Sequence, residues 1–142
     1  MRIPLLFVVL LVAGLLPSLT FAQEPMVHPI EKALEACIEK DPSTAGTVRC
    51  EDRAFTMWDK ELNKNYLSLM AKLDPADKAL LKAAQLAWLK QRDAEFKLID
   101  SIYGSLQGSM YIPMHVDRKK GVIKSRAEEL SFYLGLMSEN EP

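Results

Sequence analysis

The residues able to do chemistry are few, and they narrow the options. Cys37 and Cys50 are the only thiols in the 142-residue chain. Joined to each other they would close a short loop and stabilise the fold by about 3 kcal/mol on the chain-entropy model. As metal ligands they are badly spaced: the interval is too long for C-x₂₋₄-C, and no histidine pair stands at zinc spacing. The two histidines, His28 and His115, belong to no assignable Ser-His-Asp set. Carboxylates such as Glu128 and Glu129 read as solvated helix faces rather than acid–base pairs. An oxidised Cys37 could not act as a nucleophile. Met110, Met114 and His115 lie close together and offer soft ligands suited to Cu(I), but methionines in that number also pack routinely against a helical bundle. The reading is of a binding protein with no catalytic residues, no metal site and no cofactor.

Four polar residues interrupt otherwise apolar helical stripes. Ala54, Trp58, Leu62, Tyr66, Leu69 and Leu73 recur at three- and four-residue steps, which predicts a long helix over Thr44–Leu73. Asp74-Pro75-Ala76-Asp77 then reads as an N-cap, a first-turn proline and a first-turn acid. A second long helix follows over Pro75–Tyr103, with Leu81, Gln85, Trp88, Arg92, Phe96, Ile99 and Tyr103 on one face. Across a turn at Asp74, facing residues have numbers that sum to about 148. That pairs Asn63 with Gln85 and sets Asp59 one turn from Arg92. Asp59, Asn63, Gln85 and Arg92 are therefore expected to form a partly buried polar network across the hairpin, since a buried arginine calls for a carboxylate.

The remaining elements follow from the same signals. A short helix is expected over Ile30–Lys40, with Ile30, Leu34, Cys37 and Ile38 on one face, ended by Asp41-Pro42. Gly46 should weaken the first turn of the next helix. Residues 104–116, with two glycines and Pro113, read as a loop. A last helix is expected over Asp117–Met137, with Gly121 weakening its start, Val122, Ile123, Leu130, Tyr133, Leu134 and Met137 inward, and a frayed tail. No strand alternation or repeat stands out. The fold class is all-α: a small helical bundle centred on a long antiparallel hairpin, with one disulfide.

The first 22 residues read as a signal peptide. Arg2 precedes the uninterrupted apolar run Leu5–Leu16, Pro17 breaks it, and Thr20 and Ala22 suit a cut before Gln23. The run is too short to span a bilayer, which takes roughly 20 residues. The domain is then 23–142, with a flexible leader at 23–29 and no stable membrane insertion after cleavage. Removing Arg2 with the signal shifts the formal charge from −1 to −2, 17 basic against 19 acidic residues. Such a balance disfavours a nucleic-acid partner, which needs a basic excess. At 49% hydrophobic residues the chain is no disordered acidic tail. Two cysteines in an exported chain most simply pair with each other, and the expected location is periplasmic or secreted.

The central residues carry a family resemblance. Cys37 and Cys50 are followed by Trp58, Asp59, Glu61, Leu62, Asn63 and Tyr66, then by Gln85, Ala87, Trp88, Leu89, Arg92 and Asp93. A weaker match continues through Gly108, Ser109, Arg126, Glu129 and Leu130. This pattern resembles the lysozyme inhibitor LprI-like N-terminal domain family of small exported bacterial proteins. The resemblance implies a protein partner, lysozyme or another wall-degrading enzyme, bound by protein–protein contact. The alternative is an envelope stress, scaffold or immunity protein with a different protein partner. Many members carry two further cysteines, one shortly after the Arg-Asp pair and one before the last helix. Here Phe96 stands at the first place and no cysteine follows Cys50, so the 104–116 loop should be tied down by packing alone and be more mobile. Within and beside it, Tyr103, Ser109, Tyr111 and His115 are the candidate partner contacts, aromatic residues being common interface anchors.

Overall fold

The computed structural model describes residues 27–139. The expected signal peptide, the leader as far as residue 26, and residues 140–142 lie outside them. Four helices follow in order: α1 (Pro29–Lys40), α2 (Thr44–Lys72), α3 (Pro75–Gly104) and α4 (Tyr111–Glu139). No strand occurs among the described residues.

Helix starts are set by local chemistry. Pro29 opens α1, where a missing N–H costs nothing, and His28 Nδ1 accepts from the Ile30 N–H at 3.2 Å. His28, expected in a loose leader, is thus the α1 cap. Ser43 caps α2 by accepting from the Gly46 N–H at 3.0 Å. Asp41 in turn accepts from the Ser43 hydroxyl and amide, at 2.7 and 3.2 Å, and pairs with Arg49. Asp74 Oδ1 accepts from the Ala76 and Asp77 N–H groups, both at 2.9 Å, as the sequence predicts for the start of α3.

Gly46 has a more specific role than weakening a helix. It is buried in the first turn of α2, and a Cβ there would overlap the backbone carbonyl and side chain of Asp41. Only glycine lets the α1–α2 corner close this tightly. Cys37 and Cys50 form a disulfide just beyond that corner, with Cα atoms 5.7 Å apart.

The core lies where α1, α2 and α4 meet. Ile30 and Leu34 of α1 join Ala54, Trp58, Leu62 and Leu69 of α2 and Ile123, Ala127 and Leu130 of α4, while Leu81 joins from α3. The turn at Asp74 does produce a long hairpin, but its two arms are not the closest pair. α2 packs most closely along α4, and α3 leans on α4 more lightly while its backbone stands away from α2.

The last helix starts earlier than the sequence suggests. α4 begins at Tyr111, so residues expected in a loop form its first two turns and the connection shrinks to residues 105–110. Pro113 was the misleading signal. It is the third residue of α4, where N–H groups have no intrahelical acceptor and a proline is tolerated. Gly108 makes the turn at φ 115°, in the left-handed region that favours glycine. Tyr133, expected inward, is 41% exposed, because Leu130, Leu134 and Met137 hold the inner line.

Two glycines should respond oppositely to alanine. Gly46→Ala forces a Cβ into Asp41 and should cost about 1–3 kcal/mol. Gly121→Ala meets open space within α4 and should gain about 0.5–1 kcal/mol from helix propensity. Urea denaturation of both variants, read by circular dichroism, checks the signs.

Candidate functional site

Three features beyond the apolar core are built from named polar and aromatic groups: a buried ionic cluster, a groove between α2 and α3, and the tip where α3 turns into α4.

The ionic cluster was missed from the sequence. Lys120 Nζ lies 2.6 Å from Glu51 Oε2, with side chains 6% and 9% exposed, and 3.0 Å from Asp117. Beside them Trp58 Nε1 donates to Glu31 Oε1 at 2.9 Å, and Lys124 pairs with Glu31 at 3.3 Å. Burial pushes the Glu51 carboxyl up, more than Lys120 brings it down. Burial also works against the Lys120 charge, but Glu51 and Asp117 outweigh it and hold the ammonium above its usual range. At Glu31 burial is outweighed in the same way by the Trp58 N–H and Lys124, and its carboxyl sits low. A signal existed: Glu51 precedes Ala54 by three residues and Trp58 by seven, and Lys120 precedes Ile123 by three and Ala127 by seven. Both charges therefore lie on their helix's apolar stripe.

The four expected network residues do line one groove. Asp59 and Asn63 of α2 face Gln85 and Arg92 of α3 around a space of about 290 Å³, walled also by Tyr66 and Trp88. The four share one groove across the hairpin, but among the described residues no hydrogen bond joins them across it. Asn63 donates to Asp59 within α2, at 2.8 Å to the carbonyl and 3.4 Å to the carboxylate. Arg92 turns to its neighbour Asp93 at 2.6 and 2.9 Å and stacks over Trp88 and Phe96. Gln85 Oε1 accepts from Arg126 of α4 at 3.1 Å. The reason is geometric: α4 takes up the inner faces of both arms, so α2 and α3 splay and short side chains fall short of each other. The buried cation answering Gln85 is Arg126, which also pairs with Glu129.

The tip holds the four candidate contact residues. Tyr103 at the end of α3 stacks on His115 of α4, ring centres 5.7 Å apart, and His115 Nε2 lies 2.6 Å from Asp100. Lys119 also pairs with Asp100 at 2.5 Å. Hydrogen bonds from Lys119 first, then from His115, hold the Asp100 carboxyl below its usual range. Tyr103 and His115 thus brace the tip, while Ser109 is exposed and Tyr111 half-buried. Phe96 packs toward Phe55 of α2, centres 6.2 Å apart, with Lys119 over its face. These contacts join α3 to α2 and α4 without a covalent link. Around the brace stand exposed apolar residues that the sequence reading overlooked, among them Ile102 (50%), Met110 (62%) and Ile112 (54%). The available signal was that Ile102 lies off the inward stripe of α3. No group of three or more His, Cys, Asp or Glu side chains among the described residues is placed to hold a metal ion. No described helix is long and apolar enough to cross a membrane.

A four-helix bundle tied at one corner by a disulfide, with Asp59, Asn63, Gln85 and Arg92 along one groove, defines a class of small helical domain. The chain belongs to the lysozyme inhibitor LprI family, whose family model matches residues 37–130. That span runs from the first disulfide cysteine to Leu130, a fully buried residue of α4. The fold is also similar to a crystal structure of an uncharacterized protein from Burkholderia thailandensis, with 26% identity and a TM-score of 0.75. The match covers 81% of this chain and 58% of that one, so this chain spans a little over half of its length. No curated protein matches significantly.

The buried pair yields a pH-dependent prediction. Lys120→Met leaves Glu51 buried without its cation and should cost about 3–5 kcal/mol near neutral pH. Glu51 already has a raised pKa, and losing Lys120 raises it further. The folded state then takes up a proton more readily than the unfolded state, so the deficit should shrink as pH falls through that raised value. Adding Glu51→Leu should recover most of the loss at pH 7. Denaturant midpoints between pH 4 and 8 check both expectations.

Proposed function

We propose that this chain is an exported protein that binds a lysozyme-type cell-wall-degrading enzyme and inhibits it by contact, acting as a binding protein rather than an enzyme. The observation that carries this reading is the match to the LprI family over residues 37–130. A signal-peptide pattern at residues 1–22 and the Cys37–Cys50 disulfide support a periplasmic or secreted location, where such enzymes act.

The contact surface in this proposal is the α3–α4 tip. Ile102, Met110 and Ile112 supply exposed apolar area, with Tyr111 and Ser109 between them. Tyr103 and His115 hold that surface rigid through Asp100. A preformed apolar surface loses little freedom on binding, which favours affinity. Arg118 and Lys119 offset Asp100 and Glu95 nearby, so attraction to a basic enzyme depends little on charge at this tip.

A binding titration against chicken-type lysozyme, with a parallel lysis assay, tests the proposal. The expected result is a 1:1 complex of micromolar or tighter affinity with loss of lysis. Ile112→Asp and Tyr111→Ala should each weaken it by about tenfold or more, roughly 1.4 kcal/mol. Raising salt from low to moderate should change affinity by less than about threefold, as an apolar contact requires. No binding at tens of micromolar would overturn the reading.

A further inference from the structure

The groove between α2 and α3 is not consumed by the fold. Its polar groups converge on one space yet leave bonding capacity unused. Among the described residues, the Asp59 carboxylate receives only the long 3.4 Å contact from Asn63. Asn63 Oδ1, the Gln85 amide nitrogen and the Tyr66 hydroxyl have no hydrogen bond among the described residues, although each residue borders the groove. One wall is stiff: Trp88 carries the guanidinium groups of Arg92 and Arg126 at 5.5 and 5.9 Å from its ring centre. Leu86, 53% exposed, adds apolar surface at the rim.

Charge decides what kind of ligand suits this arrangement. Asp59 and Lys82 offset each other, and Arg92 is already satisfied by Asp93. The groove is close to neutral, so it selects neither a strongly anionic nor a strongly cationic partner. It offers acceptors and donors in alternation beside apolar carbon. That combination suits a neutral molecule dense in hydroxyls and amides, with C–H surface of its own. Its volume of about 290 Å³ is at the small end of the range for small-molecule sites, enough for one sugar ring and its substituent with the rest of a chain in solvent.

We infer that the α2–α3 groove binds a short neutral oligosaccharide bearing acetamido groups, with Asn63 and Gln85 pairing to the amide and hydroxyls and Leu86 meeting the acetyl methyl. Hydrogen-bonding sites discriminate strongly against analogues that lack the matching group, so the acetamido group should matter. The inference is separate from enzyme binding at the tip. Ile102 lies ten residues beyond Arg92 along α3, about 15 Å of helix.

The test is a nuclear magnetic resonance titration of the purified protein with tri-N-acetylchitotriose, compared with maltotriose and trialanine. The expected result is a saturable shift of the Trp88 indole and the Asn63 and Gln85 side-chain amides, in the millimolar range or tighter. The Trp58 indole, 1% exposed, should stay fixed. Maltotriose should bind about tenfold more weakly. Asn63→Ala should weaken binding at least fivefold with an unchanged melting temperature, because Asn63 bonds only within its own helix. Ile112→Asp should leave the titration intact, which separates this site from the tip. No saturable shift at about 20 mM, an equal response to maltotriose or trialanine, or unchanged binding by Asn63→Ala would each overturn the inference.

Discussion

Trp58 is the constraint on which the rest of the structure depends. Its ring is almost wholly buried in the seam between α2 and α4. An indole of that size can only be buried if its N–H finds an acceptor, and Glu31 of α1 supplies one. The ring of His28, the α1 cap, packs at a tilt against the same ring with centres 4.4 Å apart, and Lys124 of α4 lies over it at 5.5 Å. One side chain thus sets the position of α1 and the register of α4 against α2. The disulfide and Gly46 close the same corner from the other end of α1.

Charged and amide groups then make the α2–α4 packing directional. Apolar stripes alone would tolerate sliding by a turn. Glu51 with Lys120, and Asn65 donating to the Ala127 carbonyl at 3.0 Å, do not. Moving either helix by a turn would strand a buried charge, which costs several kcal/mol. α3 is held differently, by Arg126 reaching Gln85 and by Trp88 beneath two guanidinium groups. Apart from Leu81, which joins the core, these contacts sit at the flank of α4 and leave room for the groove.

The two surface features follow from this division of labour. α4 holds α2 tightly and α3 loosely, so Asp59, Asn63, Gln85 and Arg92 line a cleft instead of bonding to one another. Where α3 ends, the contacts of Asp100 with His115 and Lys119 join it to α4. Rigid apolar side chains can then stand in solvent at the tip.

Much of the fold was legible in the sequence because its signals are local. Asp74-Pro75 marks a cap and a first turn by stereochemistry alone, and the stripes of α2 and α3 show the period of a helix. Two cysteines in an exported chain most simply pair with each other, and they do. Pro113 misled because its meaning depends on which turn of a helix it occupies. The pattern of Asp59, Asn63, Gln85 and Arg92 pointed to a network across the hairpin, where the structure has an open groove. It could not tell that α4, distant in sequence, would take the inner face of both arms and draw the hairpin open. The sequence determined which segments are helical, where they cap and which faces are apolar, since those depend on neighbours within a turn or two. Only the tertiary structure decided which helix each face meets. That choice rests on how Trp58, Lys120 and Arg126 find partners remote in sequence, and on the cost of burying them without one.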